Sequence, residues 1–181
     1  RRFHKHGDVF LTKPGWLIFR AVCALSLFGA VVGAQAEVRL AISGGTTASE
    51  FGAAVSGAGD VDGDGRDDLL IGAPFDSTGG ADAGRAFLYS GNGALLFTWT
   101  GTANQWLGHA VAGQADCNGD GINDLVVGLP NDSTYSSGNG AVRVYSGATG
   151  LPLFTTFATG FKFRLGYSVG VAGDINADGK D

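Results

Sequence analysis

Histidine and cysteine are scarce in this chain, at three and two of 181 residues. His4, His6 and Cys23 lie in the first 36 residues, so only His109 and Cys117 remain beyond them. One of each cannot build a structural zinc site of four Cys and His ligands. His109 matches Ala53 and Tyr167 in the repeats described below, so no imidazole recurs at that place. No Ser-His-Asp set and no phosphate-binding glycine loop stands in the context such chemistry needs. The chain is therefore expected not to be an enzyme. Methionine is absent, and after residue 36 no long run has the 3.6-residue spacing of an amphipathic helix. Positive charge is short as well. Five of the 12 basic residues and one of the 17 acidic ones fall in the first 36, leaving seven against sixteen and a net charge of −9. A nucleic-acid surface requires the opposite sign.

What is present is glycine, 32 residues of it, and aspartate in three near-identical stretches. These are Asp60-Val61-Asp62-Gly63-Asp64-Gly65-Arg66-Asp67-Asp68, Asp116-Cys117-Asn118-Gly119-Asp120-Gly121-Ile122-Asn123-Asp124 and Asp174-Ile175-Asn176-Ala177-Asp178-Gly179-Lys180-Asp181. Each places oxygen-bearing side chains at positions one, three and five and Gly at six; the first two add Asp at nine. Calcium takes six to eight oxygens, and alternate residues of a tightly curled loop can supply them. Glycine at six permits the sharp turn. The expected donors of the first loop are Asp60, Asp62, Asp64, the carbonyl of Arg66, and Asp68. Those of the second are Asp116, Asn118, Asp120, the carbonyl of Ile122, and Asp124. The third offers Asp174, Asn176 and Asp178. Four carboxylates in the first loop against three in the second predict tighter binding by the first. An EF-hand requires a bidentate Glu at position twelve; here that position is Ile71 or Val127, each inside a strand pattern. A dockerin fails on the same residue. Most of the negative charge thus belongs to metal loops, and calcium is the expected cofactor, in a structural role. Cys117 stands where the other loops have Val61 and Ile175, and reads as a small buried hydrophobe.

The first aspartates are 56 and 58 residues apart, and the match extends beyond the loops. Phe51-Gly52, Leu107-Gly108 and Leu165-Gly166 precede them at a constant distance. Leu70 to Pro74 matches Val126 to Pro130, and Leu88 to Gly91 matches Val144 to Gly147. A period of this length signals a solenoid, propeller or array. Within one period four short strands are expected: Phe51 to Ser56, Asp68 to Ala73, Gly84 to Ser90 and Ala94 to Thr100. Pro74 stops the second, and Gly91-Asn92-Gly93 supplies a tight hairpin turn. Four antiparallel strands per repeat is the plan of a propeller blade. The fold class is all-β, with blades near 51–106 and 107–164 and a third begun at 165–181. Phe51, Leu107 and Leu165 are expected between blades, and Tyr89 and Tyr145 in the core.

The first 36 residues read differently. Arg1, Arg2, Lys5 and Lys13 make a basic start, Ala21 to Gly33 is almost entirely apolar, and Ala34-Gln35-Ala36 is an A-x-A cleavage site. That order of features marks a secretory signal peptide. A membrane anchor needs about 20 apolar residues, and Arg20 cuts the run short. The remaining 37–181 is expected to be secreted or at the cell surface, with no membrane insertion after signal removal. Opening on Arg1 and stopping inside a repeated motif, the chain is expected to be a fragment of a longer reading frame.

Phe51-Gly52, the acidic loop and Gly72-Ala73-Pro74 together resemble the FG-GAP repeat, known from the propeller of integrin α subunits and from many secreted bacterial proteins. The resemblance covers roughly residues 37 to 181. It departs at Leu107 and Leu129, which remain apolar. It implies a protein- or glycan-binding adhesion module with calcium loops on one face. On the other would lie the ligand loops, here 75–83 and 131–139 with 46–50, 102–106 and 159–164. Trp106, Tyr135 and Phe161 would be aromatic anchors there. Matched at the 56-residue offset, Val38 to Ser43 aligns with Ala94 to Trp99 of a fourth strand, so residues 37–50 are expected to hold an outer strand that closes the last blade and shields its edge. Two alternatives stay open: an accessory propeller of a secreted hydrolase whose catalytic domain lies outside this chain, and a purely structural surface array.

Overall fold

The computed structural model describes residues 16–18, 40–44, 47–135, 138–159 and 163–181. Ten strands appear among them: β1 (Trp16–Ile18), β2 (Ala41–Ser43), β3 (Ala54–Gly59), β4 (Asp68–Ala73), β5 (Arg85–Tyr89), β6 (Leu95–Thr100), β7 (Val111–Ala115), β8 (Asp124–Leu129), β9 (Ala141–Tyr145) and β10 (Pro152–Phe157). A single turn of 3₁₀-helix, Thr47–Ser49, is the one helical element described. β3 to β6 form one four-stranded antiparallel sheet in chain order, and β7 to β10 form a second. These are two propeller blades, and the described residues are all-β but for that one turn, as the repeats predict. Their registers coincide at the 56-residue offset: Leu69 faces Tyr89 in the first sheet and Leu125 faces Tyr145 in the second.

The first strand of the first blade begins at Ala54 rather than Phe51. Phe51-Gly52 lies in a turn, with Glu50 at φ 50° and Gly52 at φ 88°, closed by the Ala53 N–H donating to the Glu50 carbonyl at 2.9 Å. A positive φ cannot continue an extended strand. The second strands, β4 and β8, are buried almost throughout, and the outermost, β6 and β10, are largely exposed.

One core fills the space between the blades. Leu70, Leu88, Trp99 and Leu107 meet Leu125, Val127, Leu129 and Tyr145 in one buried cluster. Each such side chain contributes roughly 1.5–3 kcal/mol when fully buried. Trp99 stacks on Tyr145 with ring centroids 4.6 Å apart and donates its indole N–H to the Gly150 carbonyl at 2.8 Å. Tyr145 is buried as expected, Tyr89 only half so.

The apolar-Gly pair of each repeat docks on the preceding blade. Leu107, wholly buried, bridges Gly84, and Leu165 bridges Gly140. A Cβ on Gly72 would land on the Gly108 carbonyl, and one on Gly128 on the Gly166 carbonyl. Only glycine lets these backbones approach so closely. Phe51, by contrast, packs edge-on against Phe87 of its own blade at 5.3 Å.

The segment read as a signal peptide lies outside the described residues except for β1. That strand pairs antiparallel with β2, Trp16 opposite Ser43. Of the expected closing strand, Val38 and Arg39 lie outside the described residues, and the described partner of Ala41–Ser43 is β1, in a two-stranded sheet of its own.

Candidate metal centre

The first two acidic loops each join the first two strands of their blade, at the start of β4 and of β8. The β5–β6 and β9–β10 hairpin turns lie at the same end. The loops at 74–84 and 101–110, with the described residues of the stretch after Leu129, 130–135 and 138–140, lie at the other.

In the first loop, local hydrogen bonds curl the backbone around the carboxylates. Asp60 accepts from the Gly65 N–H at 2.9 Å, Asp62 from Asp64 N–H at 3.1 Å, and Asp64 from Arg66 N–H at 2.9 Å. Gly63 and Gly65 hold φ of 77° and 84°, where glycine alone is unstrained. The carboxylates of Asp60, Asp62 and Asp68 converge to within 4.8 Å of one another. Three like charges so close repel, and a hard cation between them removes that repulsion. The donor chemistry therefore fits a divalent metal ion.

Asp68 differs from the other two. It is only 2% exposed, and one carboxylate oxygen accepts from the Val61 N–H at 2.8 Å while the other accepts from Gly91 N–H at 3.0 Å. Burial pushes its carboxyl up, the N–H groups of Val61 and Gly91 pull it back, and the charge of Asp62 adds to the rise. Position nine thus staples the acidic loop to the hairpin turn of the same blade, besides facing the cluster. Asp64 reaches the same turn, its other oxygen accepting from Ser90 Oγ at 3.2 Å and Asn92 Nδ2 at 3.0 Å. It does not join the three converging carboxylates.

The second loop repeats the scheme. Asp116 accepts from Gly119, Asp120 and Gly121 N–H groups at 2.7, 3.1 and 2.8 Å, and these, Gly121 foremost, hold its carboxyl below the usual range. Asn118 accepts from Asp120 N–H and donates its amide to the Asp120 carboxylate at 2.9 Å. Asp124, fully buried, accepts from Cys117 and Gly147 N–H groups at 2.9 and 3.1 Å. Burial pushes its carboxyl up, the N–H groups of Gly147 and Cys117 lower it, and Asp120 and Asp116 raise it further. In the third loop Asp174 accepts from Gly179 N–H at 2.8 Å, which lowers its carboxyl in the same way. Cys117 is a free thiol, half-buried rather than buried. Burial and then the charges of Asp124, Asp181 and Asp116 push it up, which makes it a poor nucleophile.

Reading the residues in order missed the hairpin's part. Ser90-Gly91 and Ser146-Gly147 recur at the 56-residue offset, and that recurrence was the available signal. At the opposite end, Asp76 and Asp132 cap the turns after Pro74 and Pro130, accepting from Thr78 and Thr134 N–H groups at 2.9 and 2.8 Å. Half-buried Trp106 lies there between Phe75, edge-on at 5.5 Å, and His109, stacked at 6.2 Å. Tyr167 meets His109 at 4.5 Å, and the Arg164 guanidinium stands 5.9 Å from the Trp106 ring centre. His109 Nδ1 is buried without a hydrogen-bond partner among the described residues. Tyr135 is 74% exposed and packs edge-on against Phe157. Phe161 lies outside the described residues. No helix among the described residues is long and apolar enough to cross a membrane.

Residues 51–89 match the family model described as FG-GAP repeat. Human integrin alpha-11 is 32% identical over 158 residues, covering 78% of this chain and 13% of the relative. Integrin alpha-4 of Xenopus laevis is 36% identical over 141 residues, covering 73% and 13%. Human integrin alpha-IIb is 36% identical over 158 residues, covering 76% and 15%. The chain thus spans about a seventh of the length of these curated relatives.

Proposed function

We propose that this chain, which belongs to the FG-GAP repeat proteins and resembles integrin α subunits, is a secreted or cell-surface calcium-binding propeller that acts in adhesion, presenting a ligand surface to an extracellular protein or glycan. The observation that carries the calcium reading is the convergence of Asp60, Asp62 and Asp68 on one point, in a loop whose pattern recurs twice more. The donors we assign are Asp60, Asp62, Asp64, the Arg66 carbonyl and Asp68 in the first loop. In the second they are Asp116, Asn118, Asp120, the Ile122 carbonyl and Asp124, and in the third Asp174, Asn176 and Asp178.

Bound calcium supplies the positive charge that lets these carboxylates sit together at neutral pH. The chain's own residues do the rest. Asp68 and Asp124 hold each loop to its hairpin, and the N–H groups of Gly65 and Gly121 orient the position-one carboxylates. A rigid end of the blade then fixes β4 and β8, and the loop after β4 carries Phe75, which packs on Trp106 of the β6–β7 loop. Aromatic side chains with a polar edge are favoured anchors at binding surfaces, and Trp106 and Tyr135 are the described residues of that kind in these loops.

The test is capture of extracellular-matrix proteins and glycans from a defined panel on the immobilised chain. Binding is expected in calcium, with loss in EDTA and a drop of about tenfold or more for Trp106→Ala at unchanged circular dichroism. Binding that ignores Trp106→Ala, or no binding across the panel, contradicts the ligand-surface assignment.

A further inference from the structure

We infer that the acidic loops of adjacent blades bind their cations cooperatively, coupled through two side chains that are not ligands, Asn123 and Val61. This rests on the calcium reading above.

Asn123 is position eight of the second loop, one residue before the stapling Asp124. Its amide leaves its own blade and donates to the Ala58 carbonyl at 3.0 Å. Ala58 is buried and stands two residues before Asp60, the first donor of the first loop. The fit is close at this point: a Cβ on Gly59 would land on Asn123 Nδ2. Val61 makes the reverse connection. It is position two of the first loop, 8% exposed, and its Cγ1 lies 3.1 Å from where a Cβ on Gly147 would sit. Gly147 belongs to the second blade's hairpin, and its N–H donates to Asp124. The Val61 N–H, in turn, donates to Asp68.

A closed path therefore runs between the loops. Asp68 holds Val61, Val61 packs on Gly147, Gly147 holds Asp124, and Asn123 beside it returns to the entry of the first loop. A cation that fixes either loop fixes the surface on which the other is stapled. The ordering cost of the second binding event falls accordingly, which is positive coupling without a shared ligand. The third loop repeats the link one step along. Its position eight, Asp181, accepts from the Asp116 N–H at 2.9 Å, and its own N–H donates to the Asp116 carbonyl at 3.1 Å. Position eight is oxygen- or amide-bearing in all three loops, as Asp67, Asn123 and Asp181, although it is not among the proposed donors.

Calcium titration of the full chain, followed by nuclear magnetic resonance at the Gly65 and Gly121 amides, reads the two loops separately, since each N–H donates to the first donor of its own loop. Disabling the first loop with Asp60→Asn is expected to weaken calcium binding at Gly121 by about fivefold or more, the lower end of ordinary coupling between sites. In an Asn123→Ala, Val61→Ala double-variant background the same substitution is expected to leave binding at Gly121 unchanged. If Asp60→Asn unfolds the first blade, Asp64→Ala serves in its place. Calcium binding at Gly121 that ignores the state of the first loop overturns the coupling alone. Absence of calcium shifts at both amides overturns the calcium reading and the coupling together. Coupling that persists in the double variant overturns the assigned path.

Discussion

The side chain at position two of the acidic loop meets three different fates. Val61 is 8% exposed beneath the second blade's hairpin, Cys117 is half-buried, and Ile175 is 87% exposed. Yet the loops themselves are built alike. Asp60, Asp116 and Asp174 each accept from the glycine five residues on, at 2.8–2.9 Å. The third loop keeps this curl although no strand flanks it among the described residues. Loop shape is thus a local property of Asp and Gly spacing, while burial of position two and the staple at position nine require the neighbouring sheet and hairpin. The two blades also differ at position five. Asp64 is held by Ser90 and Asn92 of its hairpin, whereas Asp120 is held by Asn118 within its own loop.

The comparison can be broken first where blades meet. Gly108 holds φ 86° with the Arg85 carbonyl against its would-be Cβ. Gly108→Val combines left-handed strain with overpacking and is expected to destabilise the chain by about 3–4 kcal/mol, read by urea unfolding. Gly121 has nearly the same φ, 83°, but open space around it. Gly121→Ala should lose only about 1 kcal/mol. Equal losses for the two would mean that the interblade contact contributes nothing.

Next comes the staple. Asp124→Ala leaves the N–H groups of Cys117 and Gly147 without their acceptor, and should lose about 2 kcal/mol even in EDTA. Asp178→Ala, in the exposed third loop, should lose less than about 0.5 kcal/mol under the same conditions. Similar losses at the two sites would remove the distinction between tertiary staple and local curl. The smallest expected effect is on affinity. Asp62→Asn should weaken calcium binding in the first loop and Asn118→Asp should strengthen it in the second, each by a few-fold, in calorimetric titration. An unchanged first loop would contradict the view that carboxylate count sets their order.

Much of the fold was legible in the sequence because the repeat shows itself twice. Pro74 and Pro130 mark the ends of β4 and β8, and the Ser-Gly turns mark the hairpins. Phe51-Gly52 reads as strand but forms a turn, since apolar-Gly followed by Ala-Ala-Val looks extended and nothing local announces the positive φ at Glu50 and Gly52. The inward curl of the acidic loops was legible from the Asp and Gly spacing alone. The second role of Asp68 and Asp124 was not, because their partners at Gly91 and Gly147 are 23 residues away in the chain and meet them only once the sheet forms. The same holds for Asn123, whose reach to Ala58 spans 65 residues and two blades.

Calorimetric titration of the chelator-stripped chain with calcium, alongside Asp60→Ala and Asp116→Ala, tests the central claim most directly. Saturable calcium binding that loses one site in each variant is the predicted result. No calcium binding by the parent chain, or binding that both variants retain in full, would contradict it.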